Sequence, residues 1–139
     1  MDSRTSSGLA LVERLKDAVN RHDLESLADC FAEDFRNETP IHPGRSFKGR
    51  EQVRKNWAQI FAGVPDIEAE VLDSSVHGAT AWTEWEMRGT RRDGATHLMR
   101  GVSIFGVGDD QFRSVRFYLE PVDEGGPAID AAVRMAVGQ

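Results

Sequence analysis

The stretch "ATAWTEWEMRGTRRDGATHLMRGVSIFGV", residues 79–107, decides the fold. Two long runs rich in β-branched and aromatic residues flank Arg91–Ala95, and the Asp93-Gly94 pair in that connection is a hairpin signal. In a strand, neighbours point to opposite faces. Trp85 and Met87 therefore share one face, while Trp82, Glu84, Glu86 and Arg88 share the other. The same period of two continues on both sides. Upstream, "DIEAEVLDSSV" (66–76) sets Ile67, Ala69 and Val71 against Glu68 and Glu70; downstream, "GDD" turns the chain into "QFRSVRFYLEPV" (111–122). There Val115, Phe117 and Leu119 form a core face opposite Arg116, Tyr118 and Glu120. Four consecutive antiparallel strands are expected.

The first half has a different period. "GLALVERLKDAVNRHD" (8–23) places Leu11 or Val12, Leu15 and Val19 at helical spacing, with Ser7 as a cap. The preceding residues 1–8 read as a frayed start. Asp23 caps a second short helix, "LESLADCFAED" (24–34), with Leu24, Leu27, Ala28 and Phe31 as its stripe. Pro40 and Pro43 make residues 35–44 extended. A third helix, 49–64, carries Val53, Trp57 and Ile60 or Phe61 on one face and stops at Gly63-Val64-Pro65. Helices first and strands after them indicate an α+β domain over residues 9–121, a curved antiparallel sheet covered on one face by three helices. Residues 122–139 form a tail in which Pro127 can open a short helix.

With 139 residues, 40% hydrophobic and 29% charged, the composition is that of one globular domain. The net charge of −6, with 17 basic residues dispersed, disfavours nucleic acid. No apolar run suits a membrane span, and "MDSRTSSG" has no apolar signal segment, so a cytoplasmic protein is expected. Cys30, alone and without basic flanks, reads as a buried structural thiol rather than a nucleophile.

The order of elements, with "NRHDLESLADCFAEDF" (20–35), "FKGREQVRKNW" (47–57), "TAWTEWEMRGT" (80–90) and "MRGVSIFGVGDDQFRSVRFYLEP" (99–121), resembles the SnoaL-like branch of the NTF2-like superfamily. The resemblance implies a cone-shaped α+β fold. Its enzymes work by acid–base chemistry inside the cone, usually without metal or cofactor. In SnoaL-like cyclases an aspartate near the end of the last strand moves the proton, and Glu120 matches that position by spacing. Two other activities of the superfamily fit poorly. Arg100-Gly101-Val102 lacks the acid of the epoxide hydrolases' Arg-x-Asp unit, and the only tyrosine, Tyr118, lies on the last strand rather than in the helical layer as in ketosteroid isomerases.

The candidate catalytic residues are Glu120, Tyr118, Arg116 and His42. Each also has a plainer reading. Glu120 is either a proton-shuttling acid or a solvated strand-end charge. Arg116 holds an anionic oxygen or meets solvent. Tyr118 donates to an enolate or fills space, and His42, on the loop at the cone mouth, assists a carboxylate or stabilises a turn. Trp57, Trp85, Met87 and Arg100 are the candidate substrate-binding residues, with core packing the alternative for the rings. His22, His77 and His97 read as structural, and no histidine pair has metal-ligand spacing. Trp82, among charged neighbours on the outer face, points to a homodimer. The expected function is a pocket for a small apolar, polyketide- or steroid-like molecule, acting as an isomerase or cyclase without cofactor. The alternative is a binding or dimerisation module without chemistry.

Overall fold

The structure is a computed structural model describing residues 3–139. Helix α1 (Ser3–Asn20) and α2 (Leu24–Asp29) are followed by β1 (Phe31–Glu38), a short β2 (Phe47–Lys48) and α3 (Arg50–Gly63). Four long strands come next: β3 (Glu68–His77), β4 (Thr80–Thr90), β5 (Thr96–Gly108) and β6 (Gln111–Pro121). Helix α4 (Ile129–Ala136) lies in the tail. The six strands form one curved sheet in the order β2-β1-β6-β5-β4-β3, open at both ends. No helix among the described residues is long and apolar enough to cross a membrane.

Two boundaries differ from the sequence expectation. Helix α1 begins at Ser3, so residues 3–8 are helical rather than frayed and Ser7 lies inside the helix; Met1 and Asp2 fall outside the described residues. No proline interrupts this turn, and Gly8 packs against Val76 of β3. Helix α2 stops at Asp29, five residues short of the expected end, because Phe31 joins a strand. That strand pairs in parallel with β6, and Phe112 donates its N–H to the Cys30 carbonyl at 2.7 Å. The stripe residue Phe31 instead packs with Phe35 and Phe112 in an aromatic cluster, at centroid distances of 4.8 and 5.5 Å. Tertiary packing overrides the local helical pattern here. Cys30 is buried, and burial pushes its thiol up to about 11.

Helices α1, α2 and α3 cover one face of the sheet. Leu11, Val12, Leu15 and Val19 of α1 and Leu27 of α2 are buried against it. The end of α1 is fastened to edge strand β3 by the Asn20 amide, which donates to the Ala69 carbonyl at 3.0 Å and accepts from its N–H at 2.7 Å. Asp23 caps α2 by accepting from the Ser26 N–H at 3.1 Å, and the bonds from Ser26 hold its carboxyl below the usual range. Gly49 (φ 101°) makes the turn into α3 and donates to the Phe35 carbonyl.

Strand register builds the inner face in rows. Ala81, Phe105 and Val115 form one row; Thr83, Ser103 and Phe117 the next; Trp85, Gly101 and Leu119 the third; Met87, Met99 and Pro121 the last. Gly101 is the tightest point. A Cβ there would strike the carbonyl oxygen of Tyr118 and stand 2.7 Å from the Leu119 Cα. Its absence lets β5 and β6 approach where the sheet curls.

Gly101→Ala is therefore expected to destabilise the fold by about 1–3 kcal/mol, the usual scale of overpacking. Gly44→Ala, at a site with nothing within 4 Å, should leave the urea midpoint nearly unchanged. Equal midpoints for the two variants would contradict this account of the curl.

Candidate functional site

Between α1 and α3 above and the inner sheet face below lies a cavity of about 310 Å³. This is at the low end of the roughly 300–1,000 Å³ typical of small-molecule sites. Its deep part is apolar: Leu15 and Val19 come from α1, Phe31 from β1, and Phe105 and Val115 from the sheet. Trp57 and Ile60 roof it from α3, while Trp85, Met87 and Met99 line the wall formed by β4 and β5. The two tryptophans thus line one space. Trp85 is fixed in place: its indole N–H donates to Thr83 Oγ1 at 2.7 Å, and that buried hydroxyl donates to the Ser103 carbonyl at 2.6 Å.

Polar groups occur mainly where the strands end. Strand β1 pairs with β6 only as far as Glu38↔Arg116, while β6 runs on to Pro121. The β6 edge beyond Arg116 is free of β1, and the loop after Glu38 turns there, with a 3-10 turn at Pro43–Arg45. Glu120 lies opposite Arg100 in the register, on the outer side of a regular strand. Yet its side chain reaches the cavity, with Oε1 2.9 Å from His42 Nε2 and Oε2 3.9 Å from Arg45 Nη1. The free edge lets it reach around. Both partners of the close contact are partly open, at 34% exposure for Glu120 and 37% for His42. The His42 loop is braced from within: Asn37 Nδ2 donates to Thr39 Oγ1 at 2.8 Å, and the Thr39 N–H donates to Ser46 Oγ at 3.0 Å. In the roof, Asn56 Oδ1 accepts from Gln52 Nε2 at 2.9 Å, leaving the Asn56 amide N–H groups to serve the cavity.

Three expected site residues stand elsewhere. Arg116 is exposed in an outer groove with Arg36 and Glu38, not beside Glu120 inside the cone. Tyr118 is outside the cavity lining as well, and Arg100 lies on the outer face, where its guanidinium pairs with Glu86 at 2.9 Å. The reason is common to all three. The β5–β6 alternation is regular, so Val115, Phe117 and Leu119 hold the inner face and their neighbours point out.

The structure adds a residue that sequence reasoning set aside. His97, from the first turns of β5, lines the cavity. Burial, and secondarily Arg91, pushes its imidazole below the ordinary value, which favours the neutral ring. The available signal was its phase: His97 lies two residues before Met99, on the same face. Among the described residues no three His, Cys, Asp or Glu side chains gather as metal ligands would.

Residues 12–115 match the SnoaL-like domain. No curated protein matches the chain significantly. An epoxide hydrolase of the LEH-like type from M. tuberculosis superimposes with a TM-score of 0.74 at 16% identity, over 97% of this chain and 98% of that one. A protein from Jannaschia sp. CCS1 assigned as a SnoaL-like polyketide cyclase gives 0.73 at 19% identity, covering 96% and 94%. A protein from Kribbella flavida DSM 17836 assigned as a ketosteroid isomerase gives 0.70 at 24% identity, covering 91% and 87%. These likenesses establish the fold: a mixed α+β cone of the NTF2-like kind.

The wall of the cavity should be sensitive to one hydroxyl. Thr83→Val keeps the shape but leaves the Trp85 N–H without its acceptor, while the Ser103 carbonyl loses only the bond from the hydroxyl and keeps its place in the β4–β5 ladder. A loss of about 1–3 kcal/mol is expected from one orphaned buried donor. Urea unfolding followed by tryptophan emission measures it, and a midpoint equal to that of the parent would refute the arrangement.

Proposed function

The chain belongs to the SnoaL-like domain family, and within it we propose a pocket for a small, mostly apolar carbonyl compound on which Glu120 and His42 carry out cofactor-free proton transfer. The observation that carries the reading is the 2.9 Å Glu120–His42 contact at the polar mouth of an otherwise apolar cavity. The chemistry follows from the groups present. The Glu120 carboxylate takes a proton from the carbon next to the ligand carbonyl. The C–H electron pair becomes a C=C bond, and the carbonyl π pair moves to oxygen. The Asn56 N–H groups are donors suited to that oxygen. Return of the proton to a different carbon completes an isomerisation. Attack of the enolate carbon on a second carbonyl, with the proton delivered to the new alkoxide, completes a cyclisation. His42 holds the carboxylate in place and can relay the proton to the opening.

The reading can be tested with 1-tetralone as a probe. Deuterium exchange at its α-carbon in D2O, followed by proton NMR, should be accelerated by the wild type. Glu120→Gln preserves shape and should reduce that acceleration roughly 100-fold or more while leaving the Kd for the ketone within about twofold. Binding of the ketone with no acceleration by the wild type would discard proton transfer and favour a ligand-binding module.

The outer sheet face supports a second proposal, pairing of two copies. Trp82 is 48% exposed there and lies across from Ile104, which is only 8% exposed. Beside them runs an ion-paired ladder of Glu68, Glu70, Glu86, Arg88 and Arg100. An aromatic centre with a charged border has the anatomy of an interface. Sedimentation at micromolar concentration should give a dimer mass and Trp82→Glu a monomer; a monomeric wild type contradicts the pairing.

A further inference from the structure

We infer that His97 is a second ligand-binding contact in this cavity, one that takes a neutral hydroxyl group of the bound molecule. The inference rests on the cavity being the pocket for an apolar carbonyl compound. It adds to that reading a second oxygen on the ligand, distinct from the carbonyl whose neighbouring carbon meets Glu120.

The argument begins with the company His97 keeps. Its cross-strand partner in β4 is Gly89, which offers no side chain to cover it. The chain after α3 packs tightly over that glycine, so Val64 occupies the place where a β4 side chain would stand. Around the cavity side of His97 the lining is apolar, with Ile60, Met87 and Met99. Among the described residues no hydrogen bond or ion pair engages the imidazole. By contrast, His22 bonds the Ile67 carbonyl and His42 meets Glu120. The imidazole is half-buried with neither ring nitrogen sealed away, so both nitrogens are open to a group in the cavity rather than engaged by the protein.

The state of the ring selects the partner. Burial and Arg91 favour the neutral ring, which offers one N–H donor and one lone pair. A carboxylate or phosphate would gain no charge from it. A carbonyl would use only the N–H. A hydroxyl satisfies either nitrogen, and it is the natural donor to a lone pair that the protein leaves empty. Placement agrees with this. Met99 pairs with Pro121, the residue after Glu120, so His97 and Glu120 both stand at the open end of the sheet, on adjacent strands. A molecule with its apolar body among the deep aromatics would present its polar groups to both.

The test compares 1-tetralone with 4-hydroxy-1-tetralone, which adds one neutral hydroxyl, by calorimetric titration of the whole protein. The wild type should bind the hydroxylated ketone roughly five- to tenfold more tightly, the scale of one neutral hydrogen bond. His97→Phe, which keeps the ring volume, should bring the two ketones within twofold of each other, with the 1-tetralone Kd little changed. His97→Gln, which restores a donor and an acceptor, should recover part of the preference. Glu120→Gln should keep it. If 1-tetralone binds but the hydroxyl gives no advantage, or His97→Phe retains the advantage, the His97 inference is overturned while the pocket stands. If neither ketone binds the wild type, the pocket reading itself fails and this inference falls with it.

Discussion

The site depends on a mismatch of strand lengths. Strand β1 leaves the ladder at Glu38, opposite Arg116, while β6 continues to Pro121. Had β1 run on, the sheet edge would be closed and Glu120 would remain an outer-face acid in the row of Glu86 and Arg100. Because it stops, the chain turns through Pro40 and Pro43 and delivers His42 and Arg45 to the exposed edge. The prolines are suited to this, since neither can donate to a ladder. One truncated parallel pairing therefore creates the opening, supplies its basic groups and frees the acid to meet them.

The distribution of charge follows the same logic. Apart from the charges at the mouth, the polar side chains of the lining include Asn37, Asn56, Ser103 and His97, whose imidazole burial biases toward the neutral form. The formal charges in the lining, Arg45 and Glu120, stand at the mouth within 3.9 Å of each other. A bare charge in the deep part would have cost several kcal/mol of lost hydration. The cavity thus favours neutral ligands and can keep a charged carboxylate only where water still reaches it.

Much of this was legible in the sequence. The four long strands were, because a period of two sustained over ten residues has no helical alternative. So were the helix stripe that carries Trp57 and the strand face that carries Trp85, both of which line the cavity. The end of α2 was not legible, since Phe31 and Ala32 extend its apolar pattern and only their packing with Phe112 makes them strand. The parallel pairing of β1 with β6 leaves no local trace at all. Arg116 and Tyr118 were misplaced by grouping them with Glu120 on one face: the grouping is right for a regular strand, but Glu120 alone sits beyond the end of β1 and can turn inward. His97 was passed over because "DGATHL" looks like the polar shoulder of a hairpin, although its phase with Met99 already put it on the inner face.

The two sheet faces show how one alternating sequence can serve two ends. On β4, Trp82 and Trp85 are three residues apart and therefore face opposite ways. Trp85 is buried with its N–H bonded inside, while Trp82 is half open. On β5, Gly101 and Ile104 divide the same way: the glycine gives the inner face its curl and the isoleucine gives the outer face its apolar centre. A shift of one residue in the β4–β5 register would exchange these roles, sending the charged ladder into the cavity and both halves of the wall to solvent. The hairpin turn at Asp93-Gly94 sets that register: Ala95 donates to Asp93 Oδ1 at 3.0 Å and Arg91 donates to the Ala95 carbonyl at 2.8 Å. The lining of the cavity is therefore held in place by a turn on the far side of the strand pair, well outside the cavity whose faces it assigns.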